Sequence, residues 1–128
     1  MQKLRGRTTK VSMKSVLCCL TLAAGLAGMS SAEQLTGILI DKACSSKAVT
    51  GGQAAAEKHD RNCAMAASCQ RSGYGVYTSD GKWVAFDDAG NKQAIAALKA
   101  SQKSDDLKVT VDGTVQGDTI KVASLKLQ

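Results

Sequence analysis

Gly73-Tyr74-Gly75-Val76-Tyr77-Thr78-Ser79-Asp80-Gly81-Lys82-Trp83-Val84-Ala85-Phe86 is the stretch that decides the fold. Two runs rich in β-branched and aromatic residues flank Ser79-Asp80-Gly81, a tight-turn signal, and the pattern predicts a β-hairpin. All four aromatic residues of the chain, Tyr74, Tyr77, Trp83 and Phe86, lie in it. Much of the large apolar surface is therefore concentrated there, and these rings are expected to build the core and not a ligand platform.

Downstream, Asp88-Ala89-Gly90-Asn91 is turn and cap material, and Lys92 to about Ser101 carries Ile95 and Leu98 on one helical face. Leu107, Val109 and Val111 then alternate with polar residues, and Ile120 and Val122 do so again after Gln116-Gly117-Asp118. The apolar phase shifts to Leu125 and Leu127, which predicts a second hairpin with a bulge or bend near Ala123-Ser124. Upstream, Leu35 to Asp41 reads as a first strand. Gly51-Gly52 marks a turn, and Gln53 to about Ala67 has the Ala, Glu, Lys, Gln and Met content of a helix.

The resulting order is strand, helix, strand, strand, helix, strand, strand. It predicts a mainly β (α+β) fold, a five-stranded OB-like small barrel. A helical Cys-containing insertion follows strand 1, and a short helix lies between strands 3 and 4. The alternative is an open α+β sheet with both helices on one face.

The 128-residue chain has 17 basic and 11 acidic side chains, five Cys and one His, and a formal charge of +6. Five of the basic residues, Lys3, Arg5, Arg7, Lys10 and Lys14, precede an uncharged apolar run that ends in Ser30-Ser31-Ala32. Residues 1–32 read as a cleaved secretory signal peptide, with Met1 and Met13 as alternative starts and cleavage after Ala32. A retained membrane anchor needs about 20 strongly apolar residues, and Gly25, Gly28, Ser30 and Ser31 dilute this run. The remainder, 33–128, is expected to be one OB-like domain. It keeps 12 basic and 11 acidic residues, a formal charge of +1, so it lacks the basic stripe that nucleic-acid binding requires. The expected location is the periplasm or the medium.

Cys44, Cys63 and Cys69 stay in the mature chain. An oxidising compartment favours one disulfide, Cys44 with Cys63 or Cys69, and leaves one thiol that could link a dimer. The competing reading is a metal site built from Cys44, Cys63, Cys69 and His59, with Asp41 or Met65 as substitutes. Soft thiolates with an imidazole suit Zn²⁺ or Cu(I). On a continuous helix His59 and Cys63, four apart, share a face. No C-x-x-C, G-x-S-x-G or phosphate-cradling glycine loop occurs, so no enzyme is expected.

Thr36 to Cys44, His59 with Cys63 and Cys69, Ser72 to Val76, and Val109 to Val115 with Gly117 to Val122 together resemble a group of small exported bacterial proteins of unassigned activity. Their pattern is Asp-x-x-Cys, then His-x3-Cys-x5-Cys, with an OB-like C-terminal half. The resemblance implies an exported single domain and supplies no substrate or cofactor. The expected function is a small binding or structural module stapled by a disulfide or a metal. The alternative is a periplasmic thiol-redox or metal-handling protein.

Overall fold

The computed structural model describes residues 31–128. They form β1 (Ala32–Asp41), α1 (Lys42–Glu57), α2 (Arg61–Ala64), α3 (Ala67–Ser72), β2 (Tyr74–Thr78), β3 (Trp83–Phe86), α4 (Asp88–Ala100), β4 (Lys108–Gln116) and β5 (Thr119–Leu127). The leader expected at the start of the chain lies outside the described residues up to Ser30; Ala32 pairs with Thr114 at the start of β1.

The five strands close into a barrel in the order β1-β2-β3-β5-β4. β1 completes the closure by pairing antiparallel with both β2 and β4. β3 meets β5 in parallel over Ala85↔Thr119 and Phe86↔Ile120. This is the expected OB-like arrangement, and closure leaves none of the free edges of the open-sheet alternative. Gly37 sits where β1 passes from one partner to the other, paired with Thr78 on one side and Val109 on the other. A Cβ there would fall on the Tyr77 carbonyl, so the close approach of strands at this corner requires glycine.

The bulge falls where the phase shift predicted it. Asp112 pairs with Ser124 and Gly113 with Val122, which leaves Ala123 as the extra residue. The interior is filled by Leu39, Val76, Phe86, Leu107, Val109, Val111 and Ile120, and α4 closes one end with Ala94 and Leu98. That helix begins earlier than its apolar spacing suggested. Asp87 caps it by accepting from the Gly90 amide at 3.0 Å, and the same oxygen accepts from Val122 at 3.1 Å, tying α4 to β5.

Alternation along β1 sends Leu39 into the barrel and Ile38 and Ile40 to its outer face. There they pack with Ala48, Ala56 and Tyr77 in a second, smaller core beneath α1. The single helix expected over Gln53–Ala67 is instead three. α1 starts directly after β1 and kinks at Gly52, whose φ of 75° is left-handed. The chain then leaves the helix at Lys58, re-enters it at Arg61, and breaks again at Met65-Ala66 before α3. The first break arises because Asp60 acts as an N-cap, its carboxylate accepting from the Cys63 amide at 2.6 Å, and a cap begins a new helix; α3 starts after Ala66 without a side-chain cap.

Candidate metal centre

Two Asp-x-x-Cys tetrapeptides frame the site. Asp41-Lys42-Ala43-Cys44 turns β1 into α1, and Asp60-Arg61-Asn62-Cys63 opens α2. In each, the aspartate caps the helix by accepting from the amide of its own cysteine, at 3.1 Å for Cys44 and 2.6 Å for Cys63. Both thiols are thereby fixed at the third helical position. The second tetrapeptide is the functional feature that sequence reasoning passed over, and the repeat was readable in the chain.

The structure brings His59 and Cys63 together, though not on one helix face. His59 lies in the link between α1 and α2, and the fold of that link carries its ring toward the cysteines. One ligand atom from each of Cys44, His59 and Cys63 lies within 4.8 Å of the others. A second such set, Asp41, Cys44 and Cys69, overlaps it at Cys44 and reaches deeper, since Asp41 and Cys69 are buried. Met65, expected as a substitute ligand, packs against the barrel core instead.

The three cysteines among the described residues, Cys44, Cys63 and Cys69, are free thiols. The Cys44 and Cys63 sulfurs stand 3.9 Å apart, against about 2.05 Å in a disulfide bond. The staple expected from Cys44 with Cys63 or Cys69 is therefore not formed. The spacing suits a shared ion. A tetrahedral Zn–S bond of about 2.3 Å separates two thiolate sulfurs by about 3.8 Å.

Asp41 is the only fully buried charged side chain among the described residues. Its Oδ2 accepts from the Cys44 amide. Its Oδ1 lies 2.8 Å from His59 Nε2, yet the contact falls outside hydrogen-bond geometry, and neither buried atom has another partner. Two orphaned polar atoms beside two thiols are costly unless a further group satisfies them. Burial raises the Asp41 pKa, but the His59 ring, the Cys69 thiol and the Cys44 amide outweigh it and hold the carboxyl below its ordinary value.

The thiols respond in the opposite direction. Burial and the Asp41 charge push Cys44 up to about 12, with Cys63 contributing. Burial, a hydrogen bond to Asp41 and that carboxylate's charge raise Cys69 as well. Cys69 is thus held as a neutral thiol beside Asp41. Burial and the Asp41 charge push the Tyr74 phenol up to about 12, so it stays protonated, and its hydroxyl donates a hydrogen bond to the Ala64 carbonyl at 2.5 Å.

Beside the outer set lies a cavity of about 210 Å³. Cys44, His59 and Cys63 line it together with buried Ile40 and Ala48 and exposed Lys47 and Lys58. Chemically the arrangement offers two sulfurs and an imidazole to one ion, with a buried carboxylate behind the ring and open space in front of it. No helix of the described residues is long and apolar enough to cross a membrane. No protein-family model, curated protein or solved structure matches the chain, so the class of protein is defined by its fold and site alone: a small OB-like barrel with a helical insertion that gathers Cys, His and Asp side chains within metal-binding distance.

Proposed function

We propose that this is an exported, non-enzymatic binding module in which Cys44, His59 and Cys63 hold one Zn²⁺ or Cu(I) ion. Asp41 and Cys69 act behind them. Asp41 orients the His59 ring, as carboxylates commonly do behind ligating histidines, and Cys69 steadies Asp41. The observation that carries this reading is the 3.9 Å separation of the Cys44 and Cys63 sulfurs with the imidazole beside them, a ligand edge and not a bond. Two thiolates and a neutral imidazole balance the charge of one divalent zinc ion, and they are soft enough to favour Cu(I).

The thiol-redox alternative, with Cys63 or Cys69 turning over, has less support, because no C-x-x-C occurs. A redox thiol also needs a thiolate at neutral pH, whereas burial and Asp41 raise Cys69 above its ordinary value. Export rests on the leader-like residues 1–32 and on the resemblance to small exported proteins.

The test is metal content together with thiol counting on protein recovered from the exported fraction. One ion per chain is expected, with Cys44 and Cys63 protected from alkylation until a chelator is added. Cys63→Ser and His59→Ala should each lose the ion, and Cys69→Ser should keep the one-to-one stoichiometry. Protein recovered with a Cys44–Cys63 disulfide and no ion would overturn the proposal. An N-terminus other than Glu33 on the exported protein would overturn the assigned cleavage.

A further inference from the structure

Three protein ligands leave a tetrahedral ion one position short, and here that position has a room of its own. The cavity of about 210 Å³ is lined both by Cys44, His59 and Cys63 and by Lys47 and Lys58. Both lysines are exposed, and neither ammonium lies within 4.0 Å of a carboxylate among the described residues. The carboxylate of Asp60, also in the lining, is engaged by the Cys63 amide at 2.6 Å. The lining also includes apolar Ile40, Ala48 and Ala55. The room thus combines soft ligand atoms, apolar side chains and two exposed cations in one lining.

We propose that the fourth ligand is a small organic thiol that carries a carboxylate, its sulfur on the ion and its carboxylate between Lys47 and Lys58. The inference rests on the metal reading above and names the molecule class that site would take. A sulfur donor completes a soft ligand set better than a carboxylate oxygen. A short carbon chain suits the apolar part of the lining, and the two ammonium groups select a negative tail. Atoms balance simply: the thiol releases one proton to buffer as its sulfur joins the ion, and no carbon bond changes. A single divalent zinc ion with three thiolates and one imidazole carries one net negative charge, and the two lysines offset both that charge and the tail.

The experiment uses reduced, full-length mature protein loaded anaerobically with Co²⁺, whose visible spectrum reports its ligands. 3-Mercaptopropionate, the neutral 2-mercaptoethanol and propionate are titrated separately. 3-Mercaptopropionate is expected to add a sulfur-to-cobalt charge-transfer band and to bind about tenfold tighter than 2-mercaptoethanol, as two modest ion pairs would give. Propionate should leave that band absent. The Lys47→Gln/Lys58→Gln double variant should still load cobalt and should bind the two thiols equally.

Equal affinity of the two thiols for the wild-type protein, or an unchanged preference in the double variant, overturns the proposal while the metal site stands. A ligand-free cobalt spectrum already showing three sulfurs would mean that Cys69 occupies the fourth position, and would overturn it too. Failure of the protein to take up cobalt or zinc at all is a different outcome, and it removes the metal reading itself.

Discussion

Inside the barrel, Leu39, Val76, Phe86, Leu98, Leu107, Val109, Val111 and Ile120 are buried side by side. Across residues 42–73, by contrast, the three helices of the insertion bury only Ala48, Ala56, Ala64 and Cys69. A buried alanine removes far less apolar area from water than a leucine or isoleucine. The insertion is held instead by polar ties to the barrel and its loops. Lys42 N donates to Gly73 O at 2.8 Å, Arg61 N to Ser104 O at 2.7 Å, Asp106 N to Glu57 O at 2.9 Å, and the Arg61 side chain to Leu98 O at 2.6 Å. The difference teaches where a metal ion would matter. The barrel has a core sufficient to define it, whereas the insertion has a cluster of unsatisfied ligands where its core is thinnest.

The comparison breaks first if the barrel depends on the metal. Ile120→Ala is expected to destabilise the protein by about 2 to 5 kcal/mol, since it removes a fully buried side chain from a closed interior. Urea denaturation with and without Zn²⁺ should give the same decrement, and a decrement that vanishes with zinc would show the two regions to be one unit. The next effect is on the insertion. Zinc at about one hundred times its dissociation constant should stabilise the bound form by about 2.7 kcal/mol. Hydrogen exchange of α1–α3 amides that open locally should slow by about a hundredfold, and Cys63→Ser should abolish the slowing.

How much was legible in the sequence follows the same division. Barrel strands bury one face and expose the other, so Leu107, Val109 and Val111 stand out against Lys108, Thr110 and Asp112, and even the bulge at Ala123 announces itself as a phase shift. The insertion carries no such contrast. Its residues from Gln53 onward are mostly good helix formers with a dip at His59, Asp60, Asn62 and Cys63, and propensity is too weak a guide to say where one helix stops. The break is set by Asp60 as a cap. Asp60-x-x-Cys63 repeats Asp41-x-x-Cys44 in the chain itself, but that both aspartates are helix caps shows only in the fold. For the same reason the approach of His59 to Cys63 was foreseen on the wrong grounds: it comes from a link, not a helix face. The burial of Asp41 against His59 joins residues eighteen positions apart, and only the closed fold brings them into contact.

Tyr74 joins the two regions, and its removal sharpens the boundary. The ring is buried at the start of β2, and its hydroxyl donates to Ala64 O at the end of α2. Tyr74→Phe keeps the ring in the barrel and leaves a buried carbonyl without its donor, at a cost of about 1 to 3 kcal/mol. The expected signature is faster exchange and lower zinc affinity in the insertion, with the β-sheet circular dichroism unchanged. Equal loosening of β4 and β5 would place Tyr74 in the barrel alone.

The smallest effect is a pH window that the barrel interior does not share, because Asp41 is the only fully buried charged side chain among the described residues. The Asp41 carboxyl is held below its ordinary value, so its contribution to stability is present above the unfolded pKa and is lost as pH falls through the folded one. Acid should therefore loosen α1–α3 first, seen as faster exchange there below about pH 4. Cys44 runs the other way. Burial and Asp41 raise its thiol to about 12 from an ordinary 9, so the metal-free fold favours the protonated thiol. The stability from this term is complete below the unfolded pKa and is lost as pH rises toward the folded one. In metal-free protein, alkylation of Cys44 near pH 8 should be much slower than in urea, and the gap should close as the pH approaches the upper value. A Cys44 that reacts at the unfolded rate in the folded, metal-free chain would mean that the insertion is already open there. The difference between a self-sufficient barrel and a metal-dependent insertion would then be larger than the burial pattern indicates.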